Sequence, residues 1–270
     1  MARPSTTVQA ISDFIAGCKA DGVWSKITEA YLMAGVTFGG ITVKLKGTGT
    51  LTNNNFVSGD YQATGVGAGL TGDGSTKYID TGLNDNTLNA TSKSISLYKT
   101  TASESGDVYF MAINGSSGIS GIKSASSTNI TSLIAVGGKV DIIGGNISSH
   151  LILSLRENND LELYQNGATS GFDTSVSGAN QDLNWFIFAR NNSGTAGVHA
   201  NSTLTFAHIG TGLTDTDAAN LSLRVNKLMY DLGCEVYVDS GIINAMNLDS
   251  DVQTYANAVL AAGGNWETLS

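Results

Sequence analysis

The chain has 270 residues, of which only 14% are charged, with 33 glycines, a single proline (Pro4) and a formal net charge of −9. An acidic chain without a basic cluster lacks the surface that displaces counterions from nucleic acid, which excludes nucleic acid as a partner. No run approaches the roughly 18 apolar residues of a membrane span, and the start MARPSTTVQAISDF lacks an apolar signal core, so neither a membrane partner nor a secretory leader is expected.

Gly, Ser, Thr and Asn stand in for the missing charges, and Val, Ile, Leu and Thr come in short bursts, a make-up suited to many strands joined by tight turns. Residues Val8 to Met33 read first as helix, turn, helix. Val8, Ile11, Phe14, Ile15 and Cys18 recur at spacings of three and four, Asp21-Gly22 supplies a stop, and a second short helix is expected around Trp24, Ile27 and Tyr31. From about Phe38 the apolar period becomes two. ITVKLKG, SKSISLYKT, DVYFMAING, HLILSLRENN, DLELYQNG, NWFIFARNN and STLTFAHIG are each strand-length and separated by Asn, Gly and Ser. The clearest hairpin alternates Leu151, Leu153 and Leu155, turns at Asn158-Asn159 and resumes with Leu161 and Leu163. Asn166-Gly167 then makes a second tight turn of the positive-φ kind.

The period changes again at GLTDTDAANLSLRVNKLMYDLG. Thr214 with Asp217 three residues on forms a capping box with Asp in the usual Glu position. Ala218, Leu221, Val225, Leu228 and Leu232 make one stripe, ended by Gly233. A strand, CEVYVDS, and a last helix, SDVQTYANAVLAAGG, are expected to follow. The pattern predicts a mainly β sandwich of residues 39–240 between an N-terminal helical anchor (1–38) and a C-terminal helical tail (241–270). Cys18 and Cys234 are read as two buried thiols of a reducing compartment, with a bridge between them as the alternative.

Polar residues cluster in a few stretches that have the make-up of sites of chemistry. LTGDGSTKYIDTGLN (Leu70 to Asn84) has the look of a phosphate loop, but Gly72, Gly74 and Lys77 lack the P-loop spacing and lead into a strand rather than a helix. Asp73, Ser75 and Asp80 offer oxygens to a calcium ion without an EF-hand's order of ligands. The simpler reading is a glycine turn in which Asp73 bonds its own backbone. ENNDLE (Glu157 to Glu162) places Asp160 and Glu162 on one face with no third acid in step, which disfavours a glycosidase pair. His150, His199 and His208 each lack a second ligand at metal spacing. No catalytic residue and no cofactor is therefore expected. Tyr61, Tyr78 and Tyr164 lie near turns and are the candidate sugar platform.

FIAGCKADGVWSKITEAYLMAG, FVSGDYQATGVGAGLTGDGSTKYIDTGLN and FAHIGTGLTDTDAANLSLRVNKLMYDLG together resemble a family of tailed-bacteriophage virion proteins with a concanavalin-A-like (laminin-G-like) jelly roll. The resemblance covers nearly the whole chain, and LELYQNG fits the inner hairpin of such sandwiches. It implies a non-enzymatic virion structural protein, assembled in the host cytoplasm: a capsid decoration or cement protein, or a fibre or knob subunit. The expected partners are major capsid or tail proteins and further copies of the chain. Host glycans are the partner in the alternative reading, a receptor-binding module. Ile11, Phe14, Ile15, Trp24 and Tyr31 at one end, and Tyr255, Val259, Leu260 and Trp266 at the other, are the candidate anchor residues.

Overall fold

The structure is a computed structural model and describes residues 6–49, 51–65, 67–101, 104, 106–134, 138–144, 147–157, 159–174 and 176–237. Helix α1 (Thr7–Ala20) opens the fold, its first turn capped by the Thr6 hydroxyl, which accepts from the Gln9 amide. The strands follow: β1 (Ile27–Leu32), β2 (Lys44–Lys46), β3 (Thr52–Asn54), β4 (Tyr61–Gln62), β5 (Gly69–Thr71) and β6 (Tyr78–Asn84). Next come β7 (Lys93–Lys99), β8 (Val108–Gly115), β9 (Gly118–Ser124), β10 (Ile130–Ile134), β11 (Gly138–Ile142) and β12 (Ser149–Leu155). The last six are β13 (Leu161–Gln165), β14 (Ala168–Asp173), β15 (Asn184–Ile187), β16 (Arg190–Asn192), β17 (Thr195–Gly197) and β18 (Thr203–Gly210), after which helix α2 (Asp215–Leu232) closes the described fold.

The strands form two nine-stranded sheets. Sheet A runs β14-β13-β12-β7-β18-β1-β2, with β5 and β4 attached beside β18; sheet B runs β11-β10-β9-β8-β15-β6-β3, with β16 and β17 attached to β8. Pairing is antiparallel except where β16 runs parallel to β8. The molecule is thus a mainly β, jelly-roll-like sandwich, with two α-helices among the described residues, as the alternating patterns predict.

Period-two alternation sorts the side chains. Ile95 and Leu97 of β7, Leu151 and Leu153 of β12, and Ile79, Met111, Trp185 and Ile187 of sheet B fill the space between the sheets. The opposite faces of sheet A strands, with Tyr98, Ile152, Tyr164 and Phe206, meet the helices through Phe14, Cys18, Leu221, Val225 and Leu228. Sheet A is therefore covered on both faces. On α2, Thr214 and Asp217 make the expected capping box, and Gly233 ends the helix in the left-handed conformation. The hairpin register is as the leucines imply, with Leu153 opposite Leu163, and Asn166 (φ 53°) and Gly167 (φ 84°) making the tight turn that follows.

Several expectations give way. The second N-terminal helix is a single 3₁₀ turn, Val23–Lys26, and Ile27–Leu32 is strand β1, paired with both β18 and β2. Glu, Ala and Leu favour helix locally, but two strand partners satisfy the backbone of this segment and override that preference. The boundary expected at residue 38 consequently does not separate a helical unit from a β unit. The buried line of α1 is Ala10, Phe14 and Cys18, a strict spacing of four, and Val8 is exposed. Ile41 and Thr42 belong to a 3₁₀ turn rather than to a strand. NWFIFARNN is broken at Phe188, whose φ of 70° ends β15 and starts β16 on a new line. Residues 234–237 are not strand but lie over sheet A, where Tyr237 stacks on Tyr98 at 5.7 Å. Cys18 and Cys234 are buried free thiols, not a bridge. The expected C-terminal helix, with Tyr255, Val259, Leu260 and Trp266, lies outside the described residues.

Candidate functional site

The glycine-rich stretch before β6 is a turn built around one carboxylate. Asp73 Oδ1 accepts from the amides of Ser75 (2.9 Å), Thr76 (2.8 Å) and Lys77 (3.0 Å), and Oδ2 accepts from the Thr76 hydroxyl (2.6 Å). Desolvation pushes this carboxyl up, but those four hydrogen bonds outweigh it and hold Asp73 well below the usual carboxylate range. An oxygen ringed by N–H donors is a poor cation ligand, which weighs against calcium here. Lys77 turns away to pair with Asp60 at 2.5 Å, and Asp80 accepts from the Gly82 amide at 2.8 Å.

The acids of the hairpin are similarly engaged. Arg156 pairs with Glu162 (2.6 Å), Asp215 (3.2 Å) and Asp160 (3.6 Å), and the Tyr164 hydroxyl donates to Glu162 and to Asp215 (2.9 Å). This cluster ties the β12–β13 turn to the first turn of α2. Burial, reinforced by the two carboxylates, raises the Tyr164 phenol. Tyr164 is fully buried, which corrects its reading as a sugar contact: α2 covers the face on which sequence placed it near a turn. Tyr61 is half-buried, its hydroxyl donating to the Val36 carbonyl (2.5 Å) and accepting from the Val36 amide (3.2 Å), so it pins a loop.

The N-terminal anchor candidates are likewise drawn inward. Phe14 packs edge-on against Phe206 (5.8 Å) and Trp24 (6.3 Å), and Tyr31 lies between the sheets with its hydroxyl on Glu29. Ile11, Ile15 and Trp24 are partly buried against the same helix-facing core. These side chains hold the chain's own layers together. An outside partner would meet only the fringes of Ile11, Ile15 and Trp24.

Tyr78 alone of the three tyrosines stands where a ligand could meet it. Tyr78, Asp80 and Asn84 of β6 and Phe186 of β15 point away from the inner core, on the outer face of sheet B. The Tyr78 ring lies on Phe186 at 4.7 Å, and His199 approaches it at 6.1 Å. Across β8, the Tyr109 ring carries Arg190 at 5.2 Å and Lys123 at 5.5 Å. Lys123 also pairs with Asp107 (2.6 Å), whereas the buried Arg190 Nε has no hydrogen-bond partner. Tyr78, stacked on Phe186 and flanked along β6 by Asp80 and Asn84, makes a small face that stacks on a sugar ring and bonds its oxygens, whereas Tyr109 is buried against Arg190 and Lys123.

His150 and His208, which lack metal-ligand spacing in the sequence, are joined through serines in the fold. Under α2, His208 Nε2 meets Ser94 Oγ (3.1 Å) and its Nδ1 meets Ser96 Oγ (2.5 Å); Ser96 Oγ meets His150 Nε2 (3.2 Å), and His150 Nδ1 meets Ser222 Oγ of α2 (2.9 Å). Ser94 Oγ donates onward to the Thr211 carbonyl at 2.7 Å. Burial pushes both imidazoles down to about 3, with repulsion between them adding to the effect on His150. Neutral rings thus relay hydrogen bonds from helix to sheet. The signal was the serine at every second position of KSISL, facing a layer that sequence alone does not reveal. Among the described residues no three His, Cys, Asp or Glu side chains converge as metal ligands.

No protein-family model matches the chain, and no curated protein matches it in sequence. Solved structures match it in shape. A mutant of Trypanosoma rangeli sialidase displaying trans-sialidase activity has a TM-score of 0.53 at 13% identity, over 82% of this chain and 39% of the sialidase. Trypanosoma rangeli sialidase in complex with sialic acid gives 0.51 at 12% identity, over 82% and 39%. The binding domain of botulinum neurotoxin serotype D gives 0.51 at 13% identity, over 74% and 52%. The chain therefore spans about two fifths to one half of these proteins. At such identities the likeness establishes a shared β-sandwich fold.

Proposed function

We propose that the chain is a non-enzymatic structural module of a tailed-bacteriophage virion: a capsid decoration or cement protein, or a fibre or knob subunit, assembled into the particle in the host cytoplasm. The observation that supports it is the use made of the ionisable side chains. Asp73, Asp160, Glu162, Asp215, His150 and His208, the groups from which a catalytic site would be built, each hold a turn or join two layers. The three sequence blocks that carry the resemblance form α1 to β1, the β4–β6 region and β18 to α2. Its partners in this reading are major capsid or tail proteins and further copies of itself. Cryo-electron microscopy of intact particles tests it: density for the sandwich at symmetry-related positions is expected, and particles without the chain reject the reading.

A second reading, recognition of host glycans, is favoured by one feature, the Tyr78–Phe186 ring pair with His199 near it on the outer face of sheet B. The related fold of a sialidase solved with sialic acid and of a toxin's binding domain supports the same use of such a scaffold. A glycan array probed with wild-type protein and Tyr78→Ala tests it. Binding lost in the variant is expected, and no binding by the wild type ends the reading.

A further inference from the structure

The two layers of the sandwich meet at a polar cluster whose lysine and carboxylate are fully buried. Lys93, the first residue of β7 in sheet A, places its Nζ 2.9 and 3.1 Å from the two oxygens of Asp85 and 2.8 Å from Asn180 Oδ1. The side chains of Lys93 and Asp85 are 1% and 0% exposed. Asp85 follows β6 of sheet B and is fixed from two more sides, by the Trp185 indole N–H (3.2 Å) and the Gln181 amide (3.0 Å). Asn180 is oriented by its own Nδ2, which donates to the Leu88 carbonyl at 2.7 Å and so aims Oδ1 at the lysine. The loop that bears Asn180 is pressed onto the chain before β7: a Cβ on Gly178 would lie 1.9 Å from the Ala90 carbonyl oxygen, so only glycine allows the approach.

We propose that Lys93 and Asn180 become joined by an isopeptide bond, formed by the folded protein itself with Asp85 as the proton carrier. An amine, a carboxamide and a carboxylate held at contact distance behave as one molecule, and their effective concentration replaces the missing enzyme. Burial lowers the proton affinity of the Lys93 amine, against the opposing pull of Asp85, and brings the neutral nucleophile within reach. In the reaction Lys93 passes a proton to Asp85, and its Nζ attacks Cγ of Asn180. The new C–N bond forms, Asp85 returns the proton to the departing nitrogen, the Cγ–Nδ2 bond breaks, and ammonia takes up the second proton of the attacking nitrogen to leave as ammonium. Asp85 ends as the carboxylate it began as, and no oxidant, cofactor or energy source is consumed. The product ties β7 of sheet A to the segment that leads into β15 of sheet B.

The test is the mass of the full-length protein under denaturing conditions. Wild type should be lighter than its sequence by one ammonia, and proteolysis should release a branched peptide joining residues 93 and 180. Asn180→Ala should restore the full sequence mass. Asn180→Asp should give the same cross-linked product with loss of water, and Asp85→Ala should leave the chain unjoined. Full sequence mass in the wild type, both fresh and after prolonged incubation, overturns the proposal whatever the variants do. So does a loss of ammonia that maps to Asn114-Gly115 or Asn166-Gly167, where backbone cyclisation to a succinimide gives the same mass change.

Discussion

The two sheets each have nine strands, yet their outer faces have opposite fates. Sheet A is roofed by α1 and α2, and the positions facing the roof include serines and histidines that must find partners, because an unpaired buried polar group costs about 1–3 kcal/mol. Sheet B has no helical roof among the described residues, and its outer positions carry Tyr78, Asp80 and Asn84, while Phe186 is shielded by the Tyr78 ring. The difference teaches that the roofed side is where substitutions unfold the protein. The open side is where they change what it touches.

The sharpest way to break this comparison is to remove residues 1–33. An external anchor could be deleted without harm, but β1 lies between β18 and β2, so deletion should abolish cooperative unfolding as followed by circular dichroism. A truncated protein that melts as sharply as the parent would show that α1 and β1 are dispensable. Phe14→Ala, beneath the roof, should cost about 3–5 kcal/mol in chemical denaturation, since a buried aromatic is lost and a cavity remains.

Acid should act through the roof as well. His150 and His208 have folded values of about 3, below the 6.5 of the free side chain, so the unfolded chain binds more protons as the pH falls. Their contribution is complete above 6.5 and is lost on the way down to about 3, with a slope of roughly 1–3 kcal/mol per pH unit. Denaturation curves at pH 7 and pH 5 check this, and equal stabilities would mean that the rings are not buried neutral. Thr214→Ala removes the cap of α2 and should cost about 1 kcal/mol. Tyr78→Ala, on the open side, should change stability least, within about 1 kcal/mol by thermal melting.

What sequence disclosed follows from how local each signal is. The β12–β13 hairpin, the Asn166-Gly167 turn, the α2 capping box and the Asp73 turn are each completed within a few residues, so their chemistry is written in consecutive letters. Strand β1 is not, because ITEAYL has helix-favouring residues and becomes a strand only by pairing with a segment some 180 residues away. Tyr164 is a second such case: a turn beside it suggests exposure, and only the distant helix α2 buries it. The Ser94–His208–Ser96–His150 chain and the Lys93–Asp85–Asn180 cluster join residues from separate strands and loops. No spacing rule could have found either.

Residues at the two limits of the described fold emerge from the same layer. Thr7 bonds the Gly35 carbonyl at the start of α1, and Tyr237 lies on Tyr98 beside α2, whose Asn226 donates to the Tyr237 carbonyl at 3.1 Å. Both limits of the described fold are thus fixed to the roofed half of the sandwich. A force applied between Thr7 and Tyr237 would load the α1–α2 layer first and leave the Tyr78 face of sheet B outside its path.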